Sequence, residues 1–407
     1  MAFDAGPTAV PMLDVDGACA AVAALARPLG AERVAIAEAH GRVLAEPIVA
    51  QRDAPVSPVS AMDGYAVREA DLADGPVSLR IVGECFAGEA PPAARLPRGG
   101  CLRVFTGAPL PPGADRVIVQ EIVQRVGDRA LIAEPPTGGR HVRPAGADFA
   151  AGETLLPPGA TLDARRLVVA AGADLAKLLV VRRPRVSILG TGSELAEPGS
   201  AWRTPGAIAE SVSFGVAALA RDWGAEVVAR RRAADELAGL TAAAAAALGE
   251  ADVVVVTGGA SVGERDYAKA MFAPFGMAFA VCKVAMKPGK PVWVARVADR
   301  IVVGLPGNPS AAMVTARLFL APILAGLGGR APDDAWVWRP VRLAAPLEAC
   351  GERETFVRAA SSPQGAIPAA SQDSSGQKAL AASDLLLRRR SGEAALAVGE
   401  TAVALTF

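Results

Sequence analysis

From residue 184 onward, short apolar runs alternate with longer amphipathic stretches. PRVSILGTGSEL, EVVARRRA, ADVVVV and IVVGLP read as strands, whereas IAESVSFGVAALARDWGA, TAAAAAALG and SAAMVTARLFLAPIL read as helices. The Val-rich run at 251–256 suits a strand covered on both faces of a parallel sheet. Alternation of this kind predicts a doubly wound, mostly parallel α/β domain over residues 182–330, with ligands bound beyond the carboxyl ends of its strands.

Elsewhere the pattern differs. LDVDGACAAVAALARPL is helical until Pro28, and a second short helix is expected through VAIAEAHG, with His40 ending it before Gly41. With DARRLVVAAGA, residues 1–50 and 146–181 read as an elongated helical and linker domain. Between them, at 51–145, short alternating runs such as SLRIVGE, CLRVF and RVIVQEIVQRV are separated by Gly and Pro clusters. They predict an inserted, mainly β domain. After Gly329 short β runs return, and residues 331–407 are expected to form a C-terminal β barrel.

Candidate chemistry concentrates in residues 257–309, where TGGASVGERDYAK, KVAMKPGKP and GLPGNPSAA bring three glycine turns and several lysines together. Gly258, Gly259 and Gly263 let backbone amides approach phosphate-like oxygens closely, and Thr257 and Ser261 add hydroxyl donors. Pro306, Gly307, Asn308 and Pro309 lead into a helix whose N-terminal amides face an anion. If VCKVAMK is extended, Lys283, Ala285 and Lys287 share one side, and Lys290 follows in a Pro-Gly segment. Taken singly, each lysine is a solvated charge; clustered beside two glycine turns, they describe a pocket for an anionic ligand.

Composition narrows this reading. Lys+Arg and Asp+Glu both number 42, so there is no overall basic field for nucleic acid, and the positive charge must be focused. No uncharged apolar run reaches the ~18 residues that suggest a membrane helix. Five scattered cysteines without metal-ligand spacing, and no basic residue before Arg27, read as a cytoplasmic protein with free thiols. Two histidines, His40 and His141, cannot build a multi-histidine metal site in one subunit. Chemistry therefore falls to carboxylates, lysines and backbone amides.

These segments resemble the molybdenum insertase family, the molybdopterin molybdenumtransferases, whose eukaryotic relative is the C-terminal domain of gephyrin. Besides the glycine turns, SAMDGYAVR, FTGAPLPPGADRVIVQE, HVRPAGADF and ILGTGSEL occur in the family's order, so the resemblance spans nearly the whole chain. It implies an enzyme that inserts molybdenum from molybdate into adenylylated molybdopterin and releases AMP, with Mg2+ as the metal cofactor. By the same resemblance, Glu194, Asp235 and Asp266 carry acid and metal-binding roles, and Asp63, Thr106 and Asp148 belong to the site. Each carboxylate read alone is a helix cap, a turn or a surface charge.

The resemblance further implies a homodimer with the site shared between subunits. It points to molybdopterin adenylyltransferase and molybdoenzymes as partners. Arg353, Arg358 and Ser375 are expected at an oxyanion site, although DSSGQKALAASD matches the family only loosely and leaves Ser374 and Ser375 unseparated. Ser193 stands where the family usually has an acidic residue, and Ala260 where it has Val. Two other readings stay open: a molybdopterin adenylyltransferase, which shares the α/β domain, and a molybdopterin-binding scaffold without catalysis.

Overall fold

The computed structural model describes residues 11–72, 76–134, 138–258 and 267–407. Contacts divide the chain into two units: one of Ala35–His40 and Glu46–Leu178, the other of Gly41–Ala45, Leu179–Phe407 and the N-terminal segment through Val34.

The first unit is built on a six-stranded sheet ordered Arg116–Val119, Gly64–Val67, Gly100–Val104, Val77–Cys85, Arg129–Ile132, Val123–Val126. Its inner strand Gly64–Val67 is buried along its length. Because successive side chains take opposite faces, Ala66 packs with Leu102, Val104 and Val117, while Tyr65 and Val67 pack with Leu79, Cys101 and Ile118. Position 64 must be glycine, since a Cβ there would lie 2.0 Å from the Ile118 carbonyl oxygen. Burial pushes the Cys101 thiol up to about 12, so this cysteine is an inert core group.

The second unit holds a six-stranded sheet ordered Glu226–Ala233, Arg185–Thr191, Val253–Thr257, Arg300–Leu305, Trp293–Val297, Ala278–Val281. The first four strands run parallel to their neighbours, and the last two pair antiparallel. Val253 and Val255 face the cluster that includes Val216 and Ala220 of the helix Val212–Asp222. Val254 and Val256 face Leu240 and Ala244 of the helix Leu237–Glu250. One strand thus carries two cores, which is why its sequence is apolar without alternation. The sheet is mixed because VWVARVADRIVVGL folds as a tight hairpin, with Ala298 at φ 52° in its turn.

The helical stretch Pro309–Leu327 is long and apolar enough to cross a membrane by composition, yet 94% of it is buried inside this unit as a core helix. A π turn at Ala316–Leu320 precedes Pro322, whose missing N–H cannot continue the regular ladder. Six further strands, Met286–Lys287, Arg339–Arg342, Glu354–Ser362, Gly365–Pro368, Leu385–Arg389 and Thr401–Thr406, form a third six-stranded sheet. A Leu343–Ala366 bridge connects the segment after Arg342 to the strand Gly365–Pro368.

Two local expectations are corrected. The helix expected through VAIAEAHG is a strand, Ala31–Ala35, followed by a single 3₁₀ turn, Ile36–Glu38. Pairing of Ala31–Ala35 with the strand Lys177–Val181 takes up its backbone groups, and Gly41 (φ 73°) ends the segment. VCKVAMK is not one strand either. The strand ends at Val281, the chain bridges to Leu13 through Val284, and Met286–Lys287 pairs with Glu354–Thr355 of the C-terminal sheet.

Candidate active site at the carboxyl ends of the sheet strands

A cavity of about 590 Å³ opens where Arg185–Thr191, Val253–Thr257 and Arg300–Leu305 end. Thr191, Gly192, Glu194, Asp235, Thr257, Gly258, Pro306, Gly307, Asn308 and Pro309 are among the residues lining it. At Gly258 the backbone has φ 94°, and a Cβ would lie 2.4 Å from the Thr191 carbonyl oxygen. Only glycine permits this approach. A Cβ on Gly307 would lie 3.5 Å from the Gly258 Cα, so the two turns abut. Gly259, Ser261, Gly263 and Asp266 lie outside the described residues.

Glu194 and Asp235 reach the cavity from adjacent strand ends. Ser193 and Asp235 clasp these ends together: the Ser193 N–H donates to Asp235 Oδ2 at 3.2 Å, and the Asp235 N–H donates to Ser193 Oγ at 3.1 Å. Serine is thus a neutral tie between the two strand ends. Among the described residues, neither Glu194 nor Asp235 forms an ion pair. The two carboxylates share the cavity, and among the described residues no group of three or more His, Cys, Asp or Glu side chains is arranged to hold a metal ion.

The helix starting at Pro309 is tied to the C-terminal sheet domain. Asn308 Nδ2 donates to Ser374 Oγ at 2.8 Å, and the Ser310 N–H donates to the Ser374 carbonyl at 2.9 Å. Ser375 instead lines the cavity, with its N–H and Oγ both donating to Asp373 Oδ1 at 2.8 Å. Those bonds hold the Asp373 carboxyl below its usual range. The two serines therefore have separate tasks. Arg358 is fully buried, and its Nη1 donates to Ser310 Oγ at 2.6 Å. Among the described residues its Nε and Nη2 find no partner, and burial lowers the affinity of the guanidinium for its proton.

The lysines divide. Lys287 lines a different cavity, of about 670 Å³, together with Arg353, Glu352, Cys350 and Arg389. Lys283 and Lys290 serve the fold through their carbonyls, which accept from the Leu13 and Val284 N–H groups, each at 3.1 Å. The loop between Val281 and Met286 carries Lys287 onto the C-terminal sheet, whereas Pro291, next to Lys290, lines the strand-end cavity. Arg353 and Arg358 also part. Arg353 lies in the bend before the strand Glu354–Ser362 and lines the larger cavity, whereas Arg358 is buried within that strand.

Residues 13–173 match the family model "MoeA N-terminal region (domain I and II)", and residues 187–326 match "Probable molybdopterin binding domain". A molybdopterin molybdenumtransferase from a Nostoc species is 38% identical over 326 residues, covering 78% of this chain and 74% of the relative. Molybdopterin molybdenumtransferase 2 of Mycobacterium tuberculosis is 38% identical over 337 residues, covering 80% and 82%. The chain belongs to the molybdopterin molybdenumtransferase family. A crystal structure of a molybdopterin biosynthesis MoeA protein from Pyrococcus horikosii superimposes with a TM-score of 0.83 at 28% identity, covering 97% of this chain and 99% of that one. This molybdopterin molybdenumtransferase family member is a transferase of molybdenum cofactor biosynthesis.

In its β unit, Asp63 Oδ1 accepts from the Thr106 N–H at 2.8 Å and from Thr106 Oγ1 at 2.9 Å. These two bonds hold the Asp63 carboxyl below its usual range. Asp148 is exposed on a loop, anchored by its N–H to the Ala54 carbonyl at 2.9 Å. Sequence reasoning missed several residues that line the strand-end cavity, among them the polar Glu210, Ser211 and Gln377. Glu210 is 4% exposed, caps the helix Val212–Asp222 by accepting from the Ser213 N–H, and faces Arg230 at 3.4 Å. The Glu-Ser-Val-Ser run before an apolar helix was the available signal. Gln377 comes from a distant part of the chain and had none.

Proposed function

We propose that this transferase inserts molybdenum from molybdate into adenylylated molybdopterin, releasing AMP and molybdenum cofactor. The observation that supports this best is the strand-end cavity, in which Glu194 and Asp235 stand beside Gly258, Gly307 and Asn308 with no ion partner among the described residues. Turn amides and a helix start suit phosphate oxygens. Carboxylates in the same cavity repel those oxygens unless a cation lies between them. Glu194 and Asp235, with Asp266, would hold Mg2+, which supplies positive charge at the phosphates when bound.

The chain's own groups do the remaining work. Gly258 and Gly307 admit the ligand's phosphates to the backbone, and Asn308, pinned by Ser374, fixes the helix start that faces them. In the neighbouring cavity, Lys287 and Arg353 offer the positive charge that a tetrahedral oxyanion such as molybdate requires. The dithiolene sulfurs of the substrate are the nucleophiles, so no protein cysteine is needed. The C-terminal sheet reads as a closed barrel, with the Leu343–Ala366 bridge joining its ends. The working unit is read as a cytoplasmic homodimer in which Asp63, Thr106 and Asp148 serve the site of the second copy.

The test is AMP release from purified protein given adenylylated molybdopterin and Mg2+, with and without molybdate. Molybdate-dependent release with active cofactor formed is the expected result. Ligand binding with no release under either condition would replace the insertase reading with a scaffold.

A further inference from the structure

One end of the sheet in the β unit gathers planar and polar side chains whose tasks the proposed chemistry leaves open. Strand register sets them side by side: Gly64 is the partner of Val104 on one side and of Val119 on the other, and Val104 is in turn the partner of Cys85. One residue beyond this row, all at the same end of the sheet, stand Asp63, Phe105, Gln120 and Phe86.

The Phe86 and Phe105 rings stack with centroids 4.5 Å apart and planes 9° from parallel. The Arg103 guanidinium lies over the Phe105 ring at 4.9 Å and over the Tyr65 ring at 5.0 Å. It is held there by donating to the Gly64 carbonyl at 3.2 Å and to Gln120 Oε1. Tyr65, Arg103, Phe105 and Phe86 thus form one row of planar groups, closed at Tyr65, which is buried, and open at Phe86, which is 43% exposed. The open ring is fixed in place: the Phe86 N–H donates to Glu89 Oε2 at 3.0 Å, and Gly107 (φ 85°) lets the turn after Phe105 abut Ala87. A further flat ring laid on Phe86 would extend the row.

Asp63 supplies a polar edge. Its Oδ1 accepts both Thr106 bonds, which uses two of the four lone-pair sites of the carboxylate, and among the described residues nothing donates to Oδ2. Strands lie roughly 4.8 Å apart, so Asp63 and Phe86, two strands from each other in the row, are about 10 Å apart, the length of a two-ring heterocycle with a hydrogen bond at its edge.

We propose that this sheet end is the subsite for the pterin ring of the substrate, with Phe86 stacking on the ring and Asp63 Oδ2 accepting from its edge. The proposal rests on the reading of the substrate as adenylylated molybdopterin. That molecule has two heteroaromatic ends. A pterin presents a ring N–H and an amino group side by side, both donors, whereas the single amine of adenine sits beside ring acceptors whose lone pairs a carboxylate repels. An ionised Asp63 therefore selects the pterin.

The experiment is fluorescence titration of the full-length protein with pterin and with lumazine, which carries a carbonyl oxygen where pterin carries its amino group, together with calorimetric titration with AMP. The wild type should bind pterin at least tenfold more tightly than lumazine. Phe86→Leu should bind pterin about tenfold more weakly, the loss of one stacking contact, with AMP affinity unchanged, and Phe86→Trp should bind pterin as the wild type does. Asp63→Asn should lose the preference for pterin over lumazine, because an amide Nδ2 donates where Oδ2 accepted. Equal wild-type affinity for the two ring systems overturns the proposal, as does wild-type pterin affinity in Phe86→Leu or an equal loss of AMP binding in that variant. A change of oligomeric state in Phe86→Leu with pterin binding intact overturns it too, and makes the ring a contact between copies. If the expected pattern appears but the wild type releases no AMP with molybdate, the insertase reading fails and the ring's site stands; if AMP is released and no pterin binds, the site fails and the insertase reading stands.

Discussion

At the scale of single residues, charge placement separates structural groups from candidate functional ones. Asp252 is 6% exposed and takes two bonds from Arg182, at 2.7 and 2.8 Å, one from the Arg185 N–H at 2.8 Å and a longer one from Arg300. Burial alone raises the pKa of a carboxyl; here the Arg182 bonds, then the Arg185 amide, outweigh it and hold Asp252 below its usual 3.8. A lowered folded pKa means stability that is present above the ordinary value and lost as pH falls through the folded one. Asp252→Asn should lower the unfolding free energy by about 1–3 kcal/mol at pH 7. In urea melts the gap between the variant and the wild type should narrow below pH 3.8. A gap independent of pH would remove the charge from this account.

Much of the residue-level site was legible, for a physical reason. Gly258, Gly307 and Asn308 sit in turns that directly end apolar strands, and that position alone aims them at the sheet edge. Glu210 and Gln377 were not legible as lining residues, because each reaches the cavity only after helices and a separate domain have packed.

At the scale of elements, parity and pairing decide more than composition. VCKVAMK keeps its alternation, with Val284 and Met286 buried and Lys287 exposed. A two-residue pairing with Glu354–Thr355 nevertheless moves Lys287 into the cavity it shares with Arg353. The strand Glu354–Ser362 places Arg358 inward, beneath the start of the Pro309 helix, with two guanidinium nitrogens lacking a partner among the described residues. A buried cation so poorly matched contributes little to stability, and a similar-sized apolar side chain is often neutral or better. Arg358→Met should therefore keep or raise the thermal midpoint while molybdate-dependent AMP release falls. A lower midpoint with unchanged turnover would make Arg358 a structural residue only.

At the scale of the whole molecule, the question is whether one chain completes a site. If Asp63 serves the cavity of a second copy, Glu194→Gln and Asp63→Asn are each inactive alone. After unfolding and refolding together they should recover about a quarter of wild-type AMP release, because random pairing gives half of the dimers one intact site. No recovery on mixing would mean that each chain must supply both residues, and a monomer by light scattering would remove the shared site altogether.

The sequence by itself determined the α/β alternation, the fully apolar central strand and the glycine turns at strand ends. Each follows from local rules: period, length and the conformations closed to residues with a Cβ. Tertiary structure alone decided the antiparallel edge of the sheet, the separation of Lys287 and Arg353 from the strand-end cavity, the different tasks of Ser374 and Ser375, and the row of planar groups that ends at Phe86. Those depend on contacts between residues far apart in the chain, which no local pattern encodes.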